Sequence, residues 1–198
     1  MPAPAQSPSR PAANTPVLTP ELFVTPRLFL RRPVAADAPA IFRRYASDPA
    51  ATRWLSWPRH STLDETLRFI DWSDSEWARW PVGPLLVFER DRCDESRMLG
   101  ATGLCFTSPT LASTGYVLAP DAWGRGYATE ILCAVVSLAG ACGLLRLEAL
   151  CQAGHTASVH VLEKCGFIRV ALLPRHLEFP NAAPGERLDV LKFARALG

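Results

Sequence analysis

Neither sign of charge predominates in this 198-residue sequence, where 21 lysines and arginines stand against 19 aspartates and glutamates. The basic residues do not gather in one segment, so the sequence offers no electrostatic basis for nucleic-acid binding. The longest largely apolar run, residues 131–139, is far shorter than the roughly 20 residues that a membrane-spanning helix needs. No charged start followed by an apolar stretch opens the chain, and we therefore expect neither a membrane span nor a secretory signal.

The sequence also lacks the cysteine pairs that mark disulfide frameworks and zinc sites. Its six cysteines are scattered, and none forms a C-x-x-C pair. Several lie in apolar segments, where a free thiol behaves as a small hydrophobic side chain. We therefore expect a cytoplasmic protein without disulfides and without a bound metal.

What is present is an ordinary globular composition, 48% hydrophobic and 20% charged, in a chain long enough for a sizeable core. Residues 1–20, MPAPAQSPSRPAANTPVLTP, are rich in proline and alanine and show no periodicity, which is typical of a disordered leader. We predict a single domain over residues 21–198. The sequence leaves the oligomeric state open, a homodimer included.

Hydrophobic periodicity and capping signals predict both helices and strands. The helices cover residues 38–45, capped by Asp37, residues 63–77, opened by a Thr62–Glu65 capping box, residues 127–142, and a short helix within 156–167 that ends at Gly166. The strands cover residues 27–32, 84–90, 98–106, 114–119, 144–151, 168–173 and 187–194, and residues 173–189 have the composition of a long loop. This order favours an α+β fold with a mixed sheet over a doubly wound one.

Two glycines, Gly124 and Gly126, stand directly before the apolar segment 127–142. A tight turn between strand and helix is one explanation. A dinucleotide fingerprint is another, although Thr129 stands where that motif needs its third small residue. The third is a phosphate cradle, in which glycines let the unpaired amides of a helix N-terminus approach an anion and Arg125 adds positive charge. The cradle fits best, because a buried helix holds its first turn rigidly.

The segment WGRGYA, residues 123–128, resembles the R/Q-x-x-G-x-G/A loop of the GCN5-related N-acetyltransferase superfamily, in particular its RimJ/RimL-like group. Trp123 takes the place of the glutamine or arginine, a variant common in that group. Further segments between about residues 25 and 193 resemble the group in the same order: TPRLFLRR, YASDPA, GYVLAPDAWGRGYATE, LRLEALC and HTASVHVLEKCGF. Several ordered motifs at the family spacing make the resemblance specific.

The resemblance implies a mixed, mostly antiparallel sheet splayed at the central strand, with helices on both faces. It also implies binding of acetyl-coenzyme A (acetyl-CoA), without a metal, and transfer of the acetyl group to an amine in a ternary complex. A bulge in the central strand would free backbone groups for the thioester arm. The expected cofactor-binding residues are Val117, Leu118, Ala119, Trp123, Gly124, Arg125, Gly126, Tyr127, Ala128 and Thr129.

Three residues are candidates for the chemistry. Ser158 aligns with the serine of the group's N-x-x-S motif and would hydrogen-bond the leaving thiolate, while His155 replaces the asparagine with a titratable group. Glu148 is the preferred general base, because the carboxylate that relatives carry ahead of the Gly115–Tyr116 pair is missing. A salt bridge with Arg146 is the structural alternative for Glu148, and a water relay is the alternative base.

The acceptor is expected to be a primary amine, either a protein N-terminus or a small molecule. Five of the six tryptophans lie between residues 54 and 80, a region that walls the acceptor site in relatives and where aromatic side chains can clamp an amine. The loop expected over 173–189 would add His176 and Glu178 to this pocket. Two other functions stay open, a catalytically silent acetyl-CoA-binding sensor and a nucleotide-dependent enzyme.

Overall fold

The structure, a computed structural model, describes residues 22–90 and 97–197, and the leader predicted over residues 1–20 lies outside them. The helices are α1 (Ala38–Ile41), continued by a π-turn over Phe42–Ala46, α2 (Pro49–Thr52), α3 (Leu63–Arg79), α4 (Tyr127–Ala141) and α5 (Thr156–Lys164), with 3-10 turns at Ala35–Asp37 and Pro120–Ala122. No helix in this described part of the chain is long and apolar enough to cross a membrane.

The strands are β1 (Leu22–Val24), β2 (Leu28–Arg31), β3 (Pro84–Glu89), β4 (Met98–Ser108), β5 (Leu111–Leu118), β6 (Arg146–Gln152), β7 (Ile168–Phe179) and β8 (Ala183–Ala196). They form one sheet in the order β1-β2-β3-β4-β5-β6-β8-β7. Neighbouring strands are antiparallel, except that β5 and β6 run parallel. The expected α+β fold with a mixed, mostly antiparallel sheet is confirmed.

Helices cover both faces of the sheet. On one face α4 turns eight buried side chains toward the sheet and α5, with Ile131 and Leu132 in one core cluster with Leu104 and Leu147 of the strands. Each such aliphatic side chain contributes roughly 1.5–3 kcal/mol by leaving water. The start of α4 is therefore held rigidly, as its apolar sequence predicts. On the other face α1 and α3 pack against β3 and β4.

The capping box predicted for α3 is confirmed at its glutamate. Glu65 Oε2 accepts hydrogen bonds from the backbone N–H of Ser61 at 2.6 Å and of Thr62 at 3.0 Å. The Ser61 bond, followed by that from Thr62, lowers the pKa of Glu65 to about 2. The cap thus sets the first residue of α3, and the sequence signal was sufficient to find it.

The cap predicted at Asp37 is wrong. Its carboxylate pairs with Arg31 at 2.6 Å and accepts from the Val34 N–H at 2.8 Å. Asp37 therefore binds the preceding turn to β2, and α1 begins without a side-chain cap. The single helix predicted over 38–45 is an α-turn followed by a π-turn.

The long loop predicted over residues 173–189 is also wrong. Those residues extend β7 and β8 into one hairpin, which reverses between Phe179 and Ala183. Pro174 lies in a register shift between Leu173 and Leu177, and a proline is tolerated there because β7 is an edge strand. His176 and Glu178 are thus exposed strand residues.

Candidate active site

The parallel strands β5 and β6 separate in the middle of the sheet. Their pairing ends at Ser113 and Glu148, while β5 stays paired with β4 as far as Leu118 and β6 stays paired with β8 as far as Gln152. The gap beyond Ser113 and Glu148, here called the β5–β6 cleft, confirms the splayed central strand. The expected bulge is wrong, since β4–β5 pairing is regular from Ala112 to Leu118. The cleft opens because β6 follows β8 instead.

The peptide groups of β5 point alternately toward β4 and toward the cleft. The Ala119 N–H donates to the Leu99 carbonyl at 2.8 Å, and successive residues of a strand direct their peptide groups to opposite sides. Those of Leu118 and Tyr116 therefore face the cleft, whereas those of Val117 and Ala119 are used by the sheet. Of Val117, Leu118 and Ala119, which were predicted to contact the cofactor through their backbone, Leu118 directs its peptide N–H toward the cleft.

Two left-handed glycines form the turn into α4. Gly124 has a φ of 71° and Gly126 a φ of 78°, a conformation that costs other residues roughly 1–2 kcal/mol. The first i→i−4 hydrogen bond of α4 runs from the Glu130 N–H to the Gly126 carbonyl at 3.2 Å. The N–H groups of residues 127–129 precede it and have no partner within the helix. The helix dipole adds about half a positive charge there, which suits an anion.

Trp123, which departs from the family's glutamine or arginine, closes this turn. Its Nε1 donates to the Leu118 carbonyl at 3.0 Å, and 49% of the residue is exposed. Trp123 therefore fixes the end of β5 relative to the helix start.

Arg27 connects the beginning of β2 to this turn. Its Nε donates to Glu130 Oε2 at 2.6 Å and its Nη1 to the Arg125 carbonyl at 3.0 Å. Two guanidinium groups contact the Tyr127 ring, that of Arg27 at 4.7 Å and that of Arg125 at 4.8 Å from the ring centroid. Burial raises the pKa of Glu130, but hydrogen bonds from Thr25 and Arg27 outweigh it and hold the pKa below its usual value. No local signal in the sequence marked Arg27 as a site residue.

Glu89, at the end of β3, pairs with two arginines of this region. Arg97 and Arg125 each lie 3.0 Å from one of its carboxylate oxygens, and the Tyr127 hydroxyl donates to the same carboxylate. The Tyr127 bond is the main cause that lowers the pKa of Glu89, and the two arginines add to it. The predicted positive charge of Arg125 is present, but its guanidinium is turned toward Glu89.

The start of α5 borders the cleft opposite β5. His155 caps the helix, with Nδ1 accepting from the Ser158 N–H at 3.4 Å. Burial lowers the pKa of His155 and so favours a neutral imidazole. Ser158 Oγ accepts a hydrogen bond from the Tyr116 hydroxyl at 3.3 Å. The structure thus brings Ser158 and His155 together, and it adds Tyr116, which was not among the predicted site residues.

Glu148, the preferred base, forms two ion pairs. Arg146 Nε lies 2.9 Å from Oε1, and Lys192 Nζ lies 2.7 Å from Oε2. Burial raises the pKa of Glu148, but the hydrogen bonds and charges of Lys192 and Arg146 outweigh it and lower the pKa. The predicted salt bridge with Arg146 is therefore present. A lowered pKa makes Glu148 a weak proton acceptor at neutral pH.

The thiols beside the cleft are poor nucleophiles. Burial raises the pKa of Cys151, and that of Cys165 is raised to about 12 with burial as the main cause. Within the residues that the structure describes, no group of three or more His, Cys, Asp or Glu side chains could hold a metal ion.

Two of the tryptophans between residues 54 and 80 have different contacts. Trp54 places its ring 5.7 Å from that of His155, at the edge of the cleft, and the Arg53 guanidinium lies 4.9 Å from the Trp54 ring. Trp77 donates from Nε1 to the Pro84 carbonyl at 2.8 Å and belongs to the packing of β3. Of these two tryptophans, Trp54 lies at the cleft, beside His155.

The turn of the β7–β8 hairpin contacts the segment between α2 and α3. Asn181 at its turn donates from Nδ2 to the carbonyls of Thr52 and Trp57, both at 2.9 Å, and accepts from the Arg59 N–H at 2.8 Å. The segment between α2 and α3 is therefore anchored by a residue far along the chain. The loop expected to add His176 and Glu178 to an acceptor pocket is instead a hairpin, and its turn residue Asn181 contacts the segment between α2 and α3.

Known proteins share this sequence pattern and this fold. A family model described as an acetyltransferase (GNAT) domain matches residues 27–168. YoaA of Bacillus subtilis (strain 168), described as an uncharacterized N-acetyltransferase, is 27% identical over 171 residues, which cover 82% of this chain and 91% of that protein.

Two solved structures illustrate the likeness of fold. An acetyltransferase from Salmonella typhimurium that modifies the N-terminal serine of the 50S ribosomal subunit protein L7/L12 has a TM-score of 0.76 at 20% identity, with 90% of this chain and 100% of that chain covered. Spermidine N-acetyltransferase from Vibrio cholerae, in complex with CoA and spermine, has a TM-score of 0.73 at 15% identity, with 87% and 97% covered.

Proposed function

The chain belongs to the GNAT family of acetyltransferases, and we propose that it moves the acetyl group of acetyl-CoA to a primary amine by direct attack within a ternary complex. The observation that carries the proposal is the parting of β5 from β6 directly before the N-terminus of α4. The cleft offers the N–H group of Leu118 for a thioester arm, and the helix start offers N–H groups without a partner in the helix for a diphosphate.

We assign the diphosphate of acetyl-CoA to the N–H groups of residues 127–129. Gly124 and Gly126 have no side chains that would keep a phosphate at a distance. Three arginines and two glutamates surround the helix start, which leaves one net positive charge beside the dipole. From there the thioester arm follows the cleft past Leu118 toward Ser158.

The amine attacks the thioester carbonyl carbon with its lone pair and forms the new C–N bond. The Leu118 N–H faces the cleft and is placed to stabilise the oxyanion that develops. The C–S bond then breaks, its electron pair leaves with the sulfur, and the Ser158 hydroxyl donates to the thiolate. We assign the amine proton to a water molecule, because Glu148 is already paired with two cations.

The charges around the cleft favour a single amine over a polyamine. A polyamine needs free carboxylates, whereas Glu148 is neutralised by Arg146 and Lys192. Arg53 adds a further positive charge at Trp54. We therefore propose a protein N-terminus or a small monoamine as the acceptor.

The test is a thiol-release assay with acetyl-CoA and a panel of acceptors, namely peptides with free N-termini, small monoamines and spermidine. Turnover is expected with a peptide or a monoamine, and the same peptide with a blocked N-terminus is the control. Calorimetry with acetyl-CoA is run beside the assay. Binding without turnover on any amine would instead support a silent sensor. Thermal protection by ATP or NAD but not by CoA would support a nucleotide-dependent enzyme.

A further inference from the structure

Tyr116 and Ser158 form a hydrogen bond beside the β5–β6 cleft. The Tyr116 hydroxyl donates to Ser158 Oγ at 3.3 Å, although the two residues are 42 positions apart. Tyr116 lies on the part of β5 that follows Ser113, where pairing with β6 has ended. Its ring packs against the core cluster that contains α4 and α5. The bond therefore joins the two walls of the cleft.

In this bond the Tyr116 phenol is the donor and Ser158 Oγ is the acceptor. Burial raises the pKa of Tyr116 more than the hydrogen bond with Ser158 lowers it, and the neighbouring Cys151 and Cys165 add to the rise. The phenol therefore keeps its proton at neutral pH and acts as the donor. A serine hydroxyl carries a single hydrogen, so the hydrogen of Ser158 is free to point elsewhere while Oγ accepts from Tyr116.

Ser158 already stands beside a sulfur atom. Burial raises the pKa of Cys151, and a hydrogen bond from the Ser158 side chain partly offsets that rise. The offset has this sign because a hydroxyl donor stabilises a thiolate. The side chain of Ser158 thus lies close to the Cys151 sulfur at the edge of the cleft.

We propose that Tyr116 is a positioning residue, which holds the Ser158 hydroxyl so that its hydrogen points at the sulfur leaving from acetyl-CoA. The inference rests on the proposed function, which brings that sulfur to Ser158. When the C–S bond breaks, its electron pair goes to the sulfur, and the Ser158 hydrogen bond stabilises the charge. Tyr116 keeps its proton, because a phenol with an ordinary pKa of about 10 does not protonate a thiolate whose thiol has a pKa of about 8.5.

The test compares Tyr116→Phe, Ser158→Ala and the double variant in the acetyl-transfer assay. Tyr116→Phe removes one hydrogen-bond donor and keeps the ring, so kcat should fall about fivefold to tenfold. KM for acetyl-CoA should stay within about twofold, since the backbone contacts of the cleft remain. The double variant should be no slower than Ser158→Ala, because Tyr116 acts only through Ser158.

Two further variants serve as controls. Tyr45→Phe removes a buried hydroxyl that has no hydrogen-bond partner among the described residues, in the core cluster of the opposite face, and should leave kcat unchanged. Ser158→Thr keeps a hydroxyl, so Tyr116→Phe should again slow the enzyme in that background. Thermal unfolding of every variant shows whether it has folded.

Full kcat in Tyr116→Phe, with an active wild type, would overturn the positioning role and leave the proposed function intact. The positioning role would also be overturned if the kcat losses of Tyr116→Phe and Ser158→Ala multiplied in the double variant, since Tyr116 would then act without Ser158. A wild type that binds acetyl-CoA and acetylates no amine would remove the proposed function itself, and the positioning role with it. The acetyl-transfer activity of the wild type distinguishes this last outcome from the other two.

Discussion

Arg27 and Glu130 are 103 residues apart in the sequence, and the Arg27 Nε lies 2.6 Å from Glu130 Oε2. The same guanidinium donates from Nη1 to the Arg125 carbonyl at 3.0 Å. One arginine from the beginning of β2 therefore holds both the first turn of α4 and the loop before it. If a diphosphate binds there, Arg27 orders the turn and adds positive charge.

Arg27→Ala should weaken acetyl-CoA binding about threefold to tenfold, because the loop loses a bond and the site loses a charge. The fold should lose only about 1 kcal/mol or less, since Arg27 is 49% exposed and exposed ion pairs contribute little. Calorimetry and chemical denaturation measure the two effects. Arg187→Ala, an exposed arginine on β8, is the control and should change neither. Equal affinity in Arg27→Ala and the control would contradict the role of Arg27.

Gly126→Asp should weaken acetyl-CoA binding by more than tenfold. The new carboxylate would stand at the helix start, where it repels phosphate and competes for Arg27, whose Nη2 lies 3.6 Å from the point that the new Cβ would occupy. Gly185→Asp is the matched control, because Gly185 has a similar φ of 77° and open space around it, in the distant β7–β8 hairpin. Both variants bear the same backbone cost. An equal affinity of the two variants for acetyl-CoA would therefore contradict binding of the diphosphate at this turn.

Glu148→Gln should lower kcat less than fivefold. Its carboxylate is paired with Arg146 and Lys192 and its pKa is lowered, so little general-base catalysis is lost with it. Steady-state kinetics against Glu178→Gln, an exposed glutamate on β7, measure the effect. A loss of kcat above a hundredfold would instead support Glu148 as the general base.

His155→Asn should make stability less dependent on pH. Burial lowers the pKa of His155 below the unfolded value of about 6.5, so the unfolded chain binds more protons as the pH falls through that region. Wild-type stability is therefore complete above about pH 6.5 and declines below it. Denaturation at pH 7.5 and pH 5 measures the decline, which should shrink in His155→Asn and persist in His176→Asn, an exposed residue. An unchanged decline in His155→Asn would contradict the buried, neutral imidazole.

Gly100→Ala should destabilise the fold by about 2–3 kcal/mol, a cost typical of forced overpacking. A Cβ at this position of β4 would lie 1.9 Å from the Val117 carbonyl oxygen, so β4 and β5 would have to move apart. Gly115→Ala on β5 is the control, since its Cβ would meet nothing within 4 Å. Chemical denaturation should show a lower free energy of unfolding for Gly100→Ala than for Gly115→Ala. Equal values would contradict the predicted clash with Val117.

Local patterns predicted most elements correctly. The Thr62–Glu65 pair located the start of α3, the left-handed Gly166 with a φ of 75° follows α5, and the strands 84–90 and 98–106 pair as a hairpin. Each of these signals acts within a few residues. The predictions failed where a partner outside the local pattern decides. Asp37 pairs with Arg31 instead of capping α1, and Pro174 lies in an edge strand instead of a loop.

The sequence by itself determined the glycine turn, the buried helix behind it and the serine at the start of the next helix, because these depend on backbone conformation and apolar spacing along one segment. Only the tertiary structure decided which groups meet there. Arg27 pairs with Glu130 of α4, Tyr116 donates a hydrogen bond to Ser158, and Glu148 pairs with Lys192. Such contacts join residues tens of positions apart, and their geometry exists only once the sheet has brought its strands together.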